Sequence, residues 1–496
     1  MKGSVAPDFA KTFSDPNSLG RPLCVDLDGT LVTTDTLVES AMLLLRRAPW
    51  SLIPLLTRIV HPVRFKAFLA SRVQIEPEKL PYRHELVSAL RMCRQQGRRI
   101  VLATAAHRTI ADSVAAYLGV FDVVYASDDT RNLRSTTKRD ALVAAYGSKG
   151  FDYVGDSTAD TAVFGAADRG VLLGASQGAV RATRSARNVS VLSRKPSVLR
   201  AAWKELRPHQ WSKNALVVLP LLLAPGALTI LSVARAGAAF VAFSLCASAG
   251  YVINDAVDLE ADRVHATKRA RPLASGDLPI LFAPLLIVGL LGASFGLSVR
   301  LLSTGFVGML GAYLVTTLLY SFYLKKLLLL DVLVLAGLYT HRILSGGVAT
   351  NVHVSAWLLG FSMFLFTSLA FAKRYVELRA ATSDDKVKSR GYVRQDIDMV
   401  NSMGVASGYI AALVFMLYVD SSAVRSIYRI PMLLWLVLPI LLYWLGRIWL
   451  LAGRGQMQDD PVKFAIKDGQ SRGCALLIAA IMGIARFAPH SMLGAP

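Results

Sequence analysis

Two patterns of apolar residues divide the chain. Up to about residue 195 the apolar runs are short. Leu23-Cys24-Val25 leads into Asp26-Leu27-Asp28-Gly29-Thr30, Ile100–Leu102 ends at Thr104, and the run around Phe151–Val154 ends at Gly155-Asp156-Ser157. Short buried strands that end in polar residues, with helical stretches between them, predict a parallel α/β sheet with its site at the strands' carboxyl ends. From Asn214 onward the runs approach the roughly 20 apolar residues a membrane-spanning helix needs. About nine candidate spans follow by length and hydropathy, centred near residues 223, 243, 289, 311, 338, 363, 411, 440 and 482. The expected architecture is an α/β domain followed by an all-α polytopic membrane domain.

The loops between the runs refine this picture. Those after the second, fourth, sixth and eighth runs carry most of the charge: Asp255–Asp277, Lys325-Lys326, Lys373–Asp398 and Arg447–Arg472. The others are short and lightly charged, with Arg425 and Arg429 as exceptions. Basic loops stay on the cytosolic side, which predicts a cytosolic N-terminal domain and an outer C-terminus. Residues 1–20 form a polar tail without the apolar core of a signal peptide. Lys195-Pro196-Ser197 marks a boundary, so the domain runs 21–195. Residues 196–213 form a linker, with Leu199, Ala202, Trp203 and Leu206 at the spacing of a short interfacial or linker helix. The membrane domain then occupies 214–496.

Composition agrees with this division. A 496-residue chain that is 53% hydrophobic, with a mean hydropathy of +0.44, is an integral membrane protein. Its net charge of +21 lies in loops between apolar runs, which argues against nucleic acid as the partner. Cys24, Cys93, Cys246 and Cys474 are far apart and suggest neither a disulfide framework nor a zinc site.

The membrane half is organised around a charged island, YVINDAVDLEADRVHATKRARPLASGDLP (251–279). If residues 252–263 continue the preceding helix, Asp255, Asp258 and Asp262 fall on one face beside Asn254. Stacked carboxylates at the end of a membrane helix call for a hard divalent cation such as Mg²⁺. Lys268, Arg269 and Arg271 follow at once, so acid for a metal is succeeded by base for phosphate oxygens. Topology alone accounts for basic residues such as Lys326 and Lys388, but not for the aspartates, because acidic residues contribute little to orientation.

Two family resemblances rest on these residues. DLDGT (26–30), Thr104, Lys138 and GDSTAD (155–160) occur in the order of the four motifs of the haloacid dehalogenase-like (HAD) phosphohydrolases. The resemblance implies that Asp26 attacks phosphorus and that Asp28 serves as acid and then base. Thr104 and Lys138 would hold the phosphoryl oxygens. Asp26, Asp28 through its carbonyl, and Asp156 would bind Mg²⁺, with Asp160 supporting that shell. Residues 31–95 stand where such proteins carry a helical cap. Their stretch 50–70 reads either as cap core or as an amphipathic surface resting on the membrane, and His61, His84 and His107 have no ligand spacing. The bland alternative is a HAD fold that keeps its acids but has lost turnover.

The second half is similar to the UbiA superfamily of membrane transferases, through the NDxxDxxxD motif of Asn254, Asp255, Asp258 and Asp262. Within it the likeness is to the decaprenyl-phosphate phosphoribosyltransferase branch, carried by LRPHQWSKN (206–214), NDAVDLEADRVHATKRARPLASG (254–276), YSFYLKKLLLLDVLVLAG (320–337), AKRYVEL (372–378) and DDPVKFAIKD (459–468). Many aromatic prenyltransferases carry a second acidic pair, DxxxD. Here Asp331 is present, but position 335 is Leu.

The resemblance implies phosphoribosyl pyrophosphate as donor, a polyprenyl phosphate as acceptor, and Mg²⁺ held by Asp255, Asp258 and Asp262. Lys268, Arg269 and Arg271 would contact the donor phosphates. Lys213, Lys325, Lys373 and Arg374 would hold either substrate's phosphate, with Asn214 and Asn254 nearby in the motifs. His341 and Arg342, inside a span, face a cavity or pair with Asp331 or Glu377. The HAD half would then remove the product's 5-phosphate or act on another phosphorylated lipid or sugar. The alternatives are a prenyltransferase acting from a polyprenyl diphosphate on an aromatic or lipid acceptor, and a non-catalytic scaffold or transporter with a regulatory HAD domain.

Overall fold

A computed structural model describes residues 20–48, 62–184, 186–265, 267–380, 391–457 and 460–487. The N-terminal tail, most of the apolar part of the 50–70 stretch, His61 and Lys388 lie outside the described residues. The chain forms two compact units, Met1–Leu206 with Val252–Leu286, and Arg207–Tyr251 with Ile287–Pro496.

In the first unit β1 (Leu23–Val25), β2 (Ile100–His107), β3 (Val123–Ser127), β4 (Asp152–Gly155), β5 (Gly170–Leu172) and β6 (Val189–Val191) make a six-stranded sheet in the order β3-β2-β1-β4-β5-β6. All neighbours pair in parallel, with Val25 opposite both Leu102 and Val154. Strands buried on both faces need no polar alternation. Accordingly Leu23 and Val25 join one core with Leu90 and Ile110, while Cys24 joins the other with Tyr153 and Phe164.

The chain winds outward from β1 to β3, then returns to β1's other side with β4. The β1–β4 junction is therefore a topological switch point, where the carboxyl ends of parallel strands leave a crevice. Within the cap region, helices Thr36–Arg47 and Pro62–Ala70 pack through Leu44, Phe65, Leu69 and Val73.

The segment after the aspartate motif belongs to the same unit. Arg263 makes a bidentate, buried ion pair with Glu39, at 3.2 and 2.5 Å, and Lys79 lies 3.4 Å from Glu260. Gly276 adopts φ +76°, and a Cβ there would come within 2.7 Å of the Thr33 carbonyl oxygen. Only glycine satisfies both the backbone angle and the close approach.

Seven helices among the described residues are long and apolar enough to cross a membrane: Ile230–Val257, Phe282–Leu301, Thr304–Phe322, Leu330–Thr350, Ala356–Ala380, Arg394–Asp420 and Pro431–Gly453. The expected nine is thus approximate. Near residue 223 the chain forms a 3₁₀ stretch, Pro208–Val217, and a short helix, Leu219–Leu223, each with a proline in its first turn. The last run is the 19-residue helix Gly469–Phe487, with Arg472 and Arg486 within it. In the second unit a Cβ at Gly346 would lie 1.9 Å from the Val217 carbonyl oxygen, and one at Gly404 2.3 Å from the Trp449 ring. Small residues let these elements approach closely, as in other membrane helix bundles.

Candidate active sites

The first candidate site sits at the β1–β4 switch point. Asp26 follows β1 directly and is buried. The Lys138 ammonium donates to Asp26 Oδ1 at 2.8 Å, to Tyr153 Oη at 2.9 Å and to Asp160 Oδ1 at 3.3 Å. Tyr153 in turn donates to Asp160 Oδ1 at 2.7 Å, and the Ser157 amide and hydroxyl donate to Asp160 Oδ2. Asp160 therefore orients Lys138, and Lys138 orients Asp26.

Asp28 accepts the Thr36 amide at 2.8 Å. Thr104 is fully buried at the carboxyl half of β2, and its Oγ1 accepts the Ala106 amide at 3.0 Å. Arg83 donates to the carbonyls of Gly29 and Thr30, which holds the DLDGT loop. Gly29, at φ +77°, passes so close to Asp156 that a Cβ would meet its Oδ2 at 2.1 Å.

Burial raises the Asp26 carboxyl well above its ordinary range, with Lys138 opposing. Burial, with the Asp35 charge adding to it, pushes Asp28 up to about 7. A carboxyl poised there can both give and take a proton near neutral pH, as a general acid and base must. Burial alone would lower the Lys138 ammonium, but Asp26 and Asp160 more than offset it and raise it. Burial likewise raises Asp156, against Lys195 at 2.8 Å.

Asp26, Asp156 and Asp160 each offer a carboxylate oxygen, all within 4.8 Å of one another. Three buried hard donors at that spacing fit a hard divalent cation such as Mg²⁺. The sequence reading missed three residues here. Tyr153 and Lys195 were seen only as part of a strand and of a boundary. Lys66, which donates to the Ala105 carbonyl at 2.5 Å and to Asn132 Oδ1 at 2.8 Å, gave no signal beyond its place in the cap.

The aspartate motif departs slightly from the expected single helix. Helix Ile230–Val257 ends just before Asp258, and a short helix, Leu259–Val264, follows. The Asp258 amide donates to the Asn254 carbonyl and the Asp262 amide to the Asp258 carbonyl, which keeps helical spacing across the break. Asp255 and Asp262, both buried, converge on Arg271, whose Nη1 lies 3.0 Å from Asp255 Oδ1 and also bonds Asp262. Lys268 stands 3.8 Å from Asp262.

Burial raises the Asp262 carboxyl, opposed by Arg271 and Lys268. Asn254 and Asp258 are half-buried and Arg269 is exposed. Among the described residues Asp258 does not complete a three-carboxylate cluster with the other two. The Asp255–Asp262 pair is nonetheless a seat for positive charge, and its oxygens are the donor type Mg²⁺ takes.

In the second unit, Arg342 Nε donates to Asn214 Oδ1 at 2.9 Å, Nη1 to the Leu338 carbonyl at 2.6 Å and Nη2 to Tyr313 Oη at 2.9 Å. Asn214 donates to Ser244 Oγ at 3.1 Å. The guanidinium also lies 5.0 and 5.4 Å from the ring centroids of Tyr313 and Tyr339. Lys213 and Lys373 approach the same Asp460 oxygen at 2.9 and 3.6 Å.

Burial alone would raise the Asp460 carboxyl, but the two lysines overcome it and hold it at about 2. Two ammoniums against one carboxylate leave a local positive charge suited to a phosphate. Asp460 was visible only as part of the DDPVKFAIKD segment.

Arg374 is placed elsewhere in this unit. It bonds Asp331 at 2.5 Å, Glu377, and Tyr320 at 3.2 Å, while Tyr392 donates to Asp331 at 2.8 Å. Asp331 and Glu377 therefore pair with Arg374 rather than with His341 or Arg342. His341 Nε2 meets the Met309 carbonyl at 2.9 Å. Lys325 lies in the 3₁₀ turn Leu324–Lys326.

Comparison with known proteins covers both halves. The UbiA prenyltransferase family model matches residues 215–467, and the haloacid dehalogenase-like hydrolase model matches 23–164. An uncharacterized protein, y4nM, of Sinorhizobium fredii is 38% identical over 465 residues, 92% of this chain and 90% of that one. The nodulation protein NoeC of Azorhizobium caulinodans is 34% identical over 275 residues, 55% of this chain and 89% of its own. Decaprenyl-phosphate phosphoribosyltransferase of Corynebacterium glutamicum is 40% identical over 183 residues, 35% of this chain, which spans about half (54%) of that relative's length. The chain is a membrane protein that belongs to the UbiA prenyltransferase family and carries a haloacid dehalogenase-like domain on its N-terminal side.

Proposed function

We propose that the UbiA-type half transfers 5-phosphoribose from phosphoribosyl pyrophosphate to a polyprenyl phosphate, and that the HAD half removes the product's 5-phosphate at the cytosolic face. One observation carries the choice of donor. Asp331, which in the commoner prenyltransferase pattern opens a second metal motif, is fully buried and committed to Arg374 and Tyr392, and its would-be partner position holds Leu335. One acidic motif instead of two supports a donor other than a prenyl diphosphate. The similarity to decaprenyl-phosphate phosphoribosyltransferases supports the same reading.

In the transferase half, Asp255, Asp258 and Asp262 would hold Mg²⁺, with Lys268, Arg269 and Arg271 set for the donor's phosphate oxygens. Bound there, Mg²⁺ supplies positive charge to the leaving diphosphate. Lys213 and Lys373, sharing Asp460, give a phosphate in the second unit two ammonium partners, and Arg342, fixed by Asn214 and Tyr313, adds a guanidinium. Lys325 stands in a loop as a further contact.

In the HAD half, Asp26, Asp156 and the Asp28 carbonyl would hold the cation while Asp160 supports the shell. Lys138 and Thr104 hold the phosphoryl oxygens and Asp26 attacks phosphorus. Asp28 protonates the leaving oxygen and then takes a proton from water. Joining the two halves in one chain raises the local concentration of the first product at the second site.

The test is direct. Membranes containing the protein, supplied with Mg²⁺, polyprenyl phosphate and ribose-labelled phosphoribosyl pyrophosphate, are expected to yield labelled lipid. No labelled lipid, with transfer instead from a prenyl diphosphate to an aromatic acceptor, overturns this reading in favour of a prenyltransferase.

Tyr153→Phe gives a smaller effect in the HAD half. It removes one hydroxyl that ties Lys138 to Asp160 and leaves both charges in place. Hydrolysis of p-nitrophenyl phosphate is expected to fall about tenfold, the loss of one buried hydrogen bond to charged groups. An unchanged kcat would mean that Asp26 and Asp160 fix Lys138 without Tyr153.

A further inference from the structure

We infer that the HAD site is shaped for a phosphomonoester carried on an apolar chain, and that the segment following the aspartate motif forms the wall against which this chain lies. The inference rests on the proposed phosphatase activity and adds the residues that meet the apolar part of its substrate. A cavity of about 850 Å³ opens over Asp26, Asp28 and Lys138. A phosphoryl group and a pentose occupy a small part of that volume.

The catalytic end is polar. The lining also carries apolar side chains, among them Leu199, Leu278, Pro279, Ile280 and Leu281. Leu199 is 84% and Leu281 60% exposed, an unfavourable arrangement in water and a suitable one for a hydrocarbon.

Three features hold this wall in place within the first unit. The buried Arg263–Glu39 pair fixes one end of the segment to the cap. Gly276 seats the middle against Thr33, a few residues after the DLDGT motif. Leu281 directly precedes the helix Phe282–Leu301, whose first turn belongs to this unit. A membrane-borne substrate would lay its apolar chain on these residues while its phosphate reaches Asp26. A small soluble ester fills only the polar end.

The chemistry balances without a further reactant. The ester P–O bond breaks as Asp26 bonds to phosphorus, the alcohol oxygen leaves with the proton of Asp28, and water then releases inorganic phosphate and restores Asp26.

The experiment uses the full chain in nanodiscs with Mg²⁺ and compares phosphate release from ethyl phosphate and dodecyl phosphate. Burying even two methylenes of the longer chain on the wall should raise kcat/KM by about tenfold or more over ethyl phosphate. In the double variant Leu199→Ser, Leu281→Ser that preference is expected to fall to within about twofold, because serine removes the apolar contact. Both proteins see the same partition of dodecyl phosphate into the bilayer. The ratio is also internal to each preparation, so a change reads the wall and not the amount of folded enzyme. Equal rates on the two esters, or a preference untouched by the double variant, overturn the inference while leaving the phosphatase reading in place. Absence of hydrolysis of either ester overturns both.

Discussion

Asp255→Asn is expected to abolish transfer of labelled phosphoribose to lipid, by about 100-fold or more, the scale on which removing one electrostatic element from an active site acts. The substitution keeps size and shape and takes away one charge. Asp255 is 2% exposed, at the end of a membrane helix, and it shares Arg271 with Asp262. With asparagine there, Arg271 is held by Asp262 alone, and the seat has lost half of its buried charge. Labelled lipid is counted after a fixed time with Mg²⁺ titrated upward. A lowered metal affinity appears as partial rescue at high Mg²⁺. Full activity at ordinary Mg²⁺ would remove the aspartate motif from the chemistry of transfer.

Asp26→Asn tests the other half and the coupling together. An amide cannot attack phosphorus, so hydrolysis of phosphomonoesters should fall by about a thousandfold or more. Lys138 keeps Asp160 at 3.3 Å and Tyr153 at 2.9 Å as partners, so the buried ammonium is not stranded and the unit should remain folded. Lipid labelling is expected to continue, with the 5-phosphorylated lipid accumulating in place of its dephosphorylated form. Thin-layer separation of the two labelled lipids reads this directly. An unchanged product ratio would refute the two-step coupling and leave the HAD half with another phosphorylated substrate.

These two aspartates also mark how legible the molecule was. Asp26 could be placed from sequence because a short apolar run must become a strand, and the polar residues at its end must leave the sheet there. The same reasoning placed Thr104 and Asp156. It could not place Tyr153, whose hydroxyl joins Lys138 to Asp160 across 15 and 7 residues, because an aromatic residue inside a strand reads as core. Asp460 was equally hidden. Its partner Lys213 lies 247 residues away, and no local spacing links them. Asp331 and Arg374 were both noticed, but as separate candidates. That they belong to each other depends on how two membrane helices are turned, which hydropathy does not encode.

Sequence by itself determined the two architectures, the positions of both acidic motifs and the absence of a second acidic pair. These depend on local residue types and on the length of apolar runs, which fix strands, spans and the chemistry each can carry. Only the tertiary structure decided that Val252–Leu286, by sequence the end of one membrane helix and the start of the next, packs as part of the unit that holds the six-stranded sheet. The reason is that its anchors are long-range and few. A buried guanidinium needs the carboxylate of Glu39, 224 residues earlier, and a glycine at positive φ needs the backbone of Thr33. Neither requirement leaves a periodic trace in the chain. Together they tie a loop that begins in the membrane half to the cap and to the DLDGT end of the first unit.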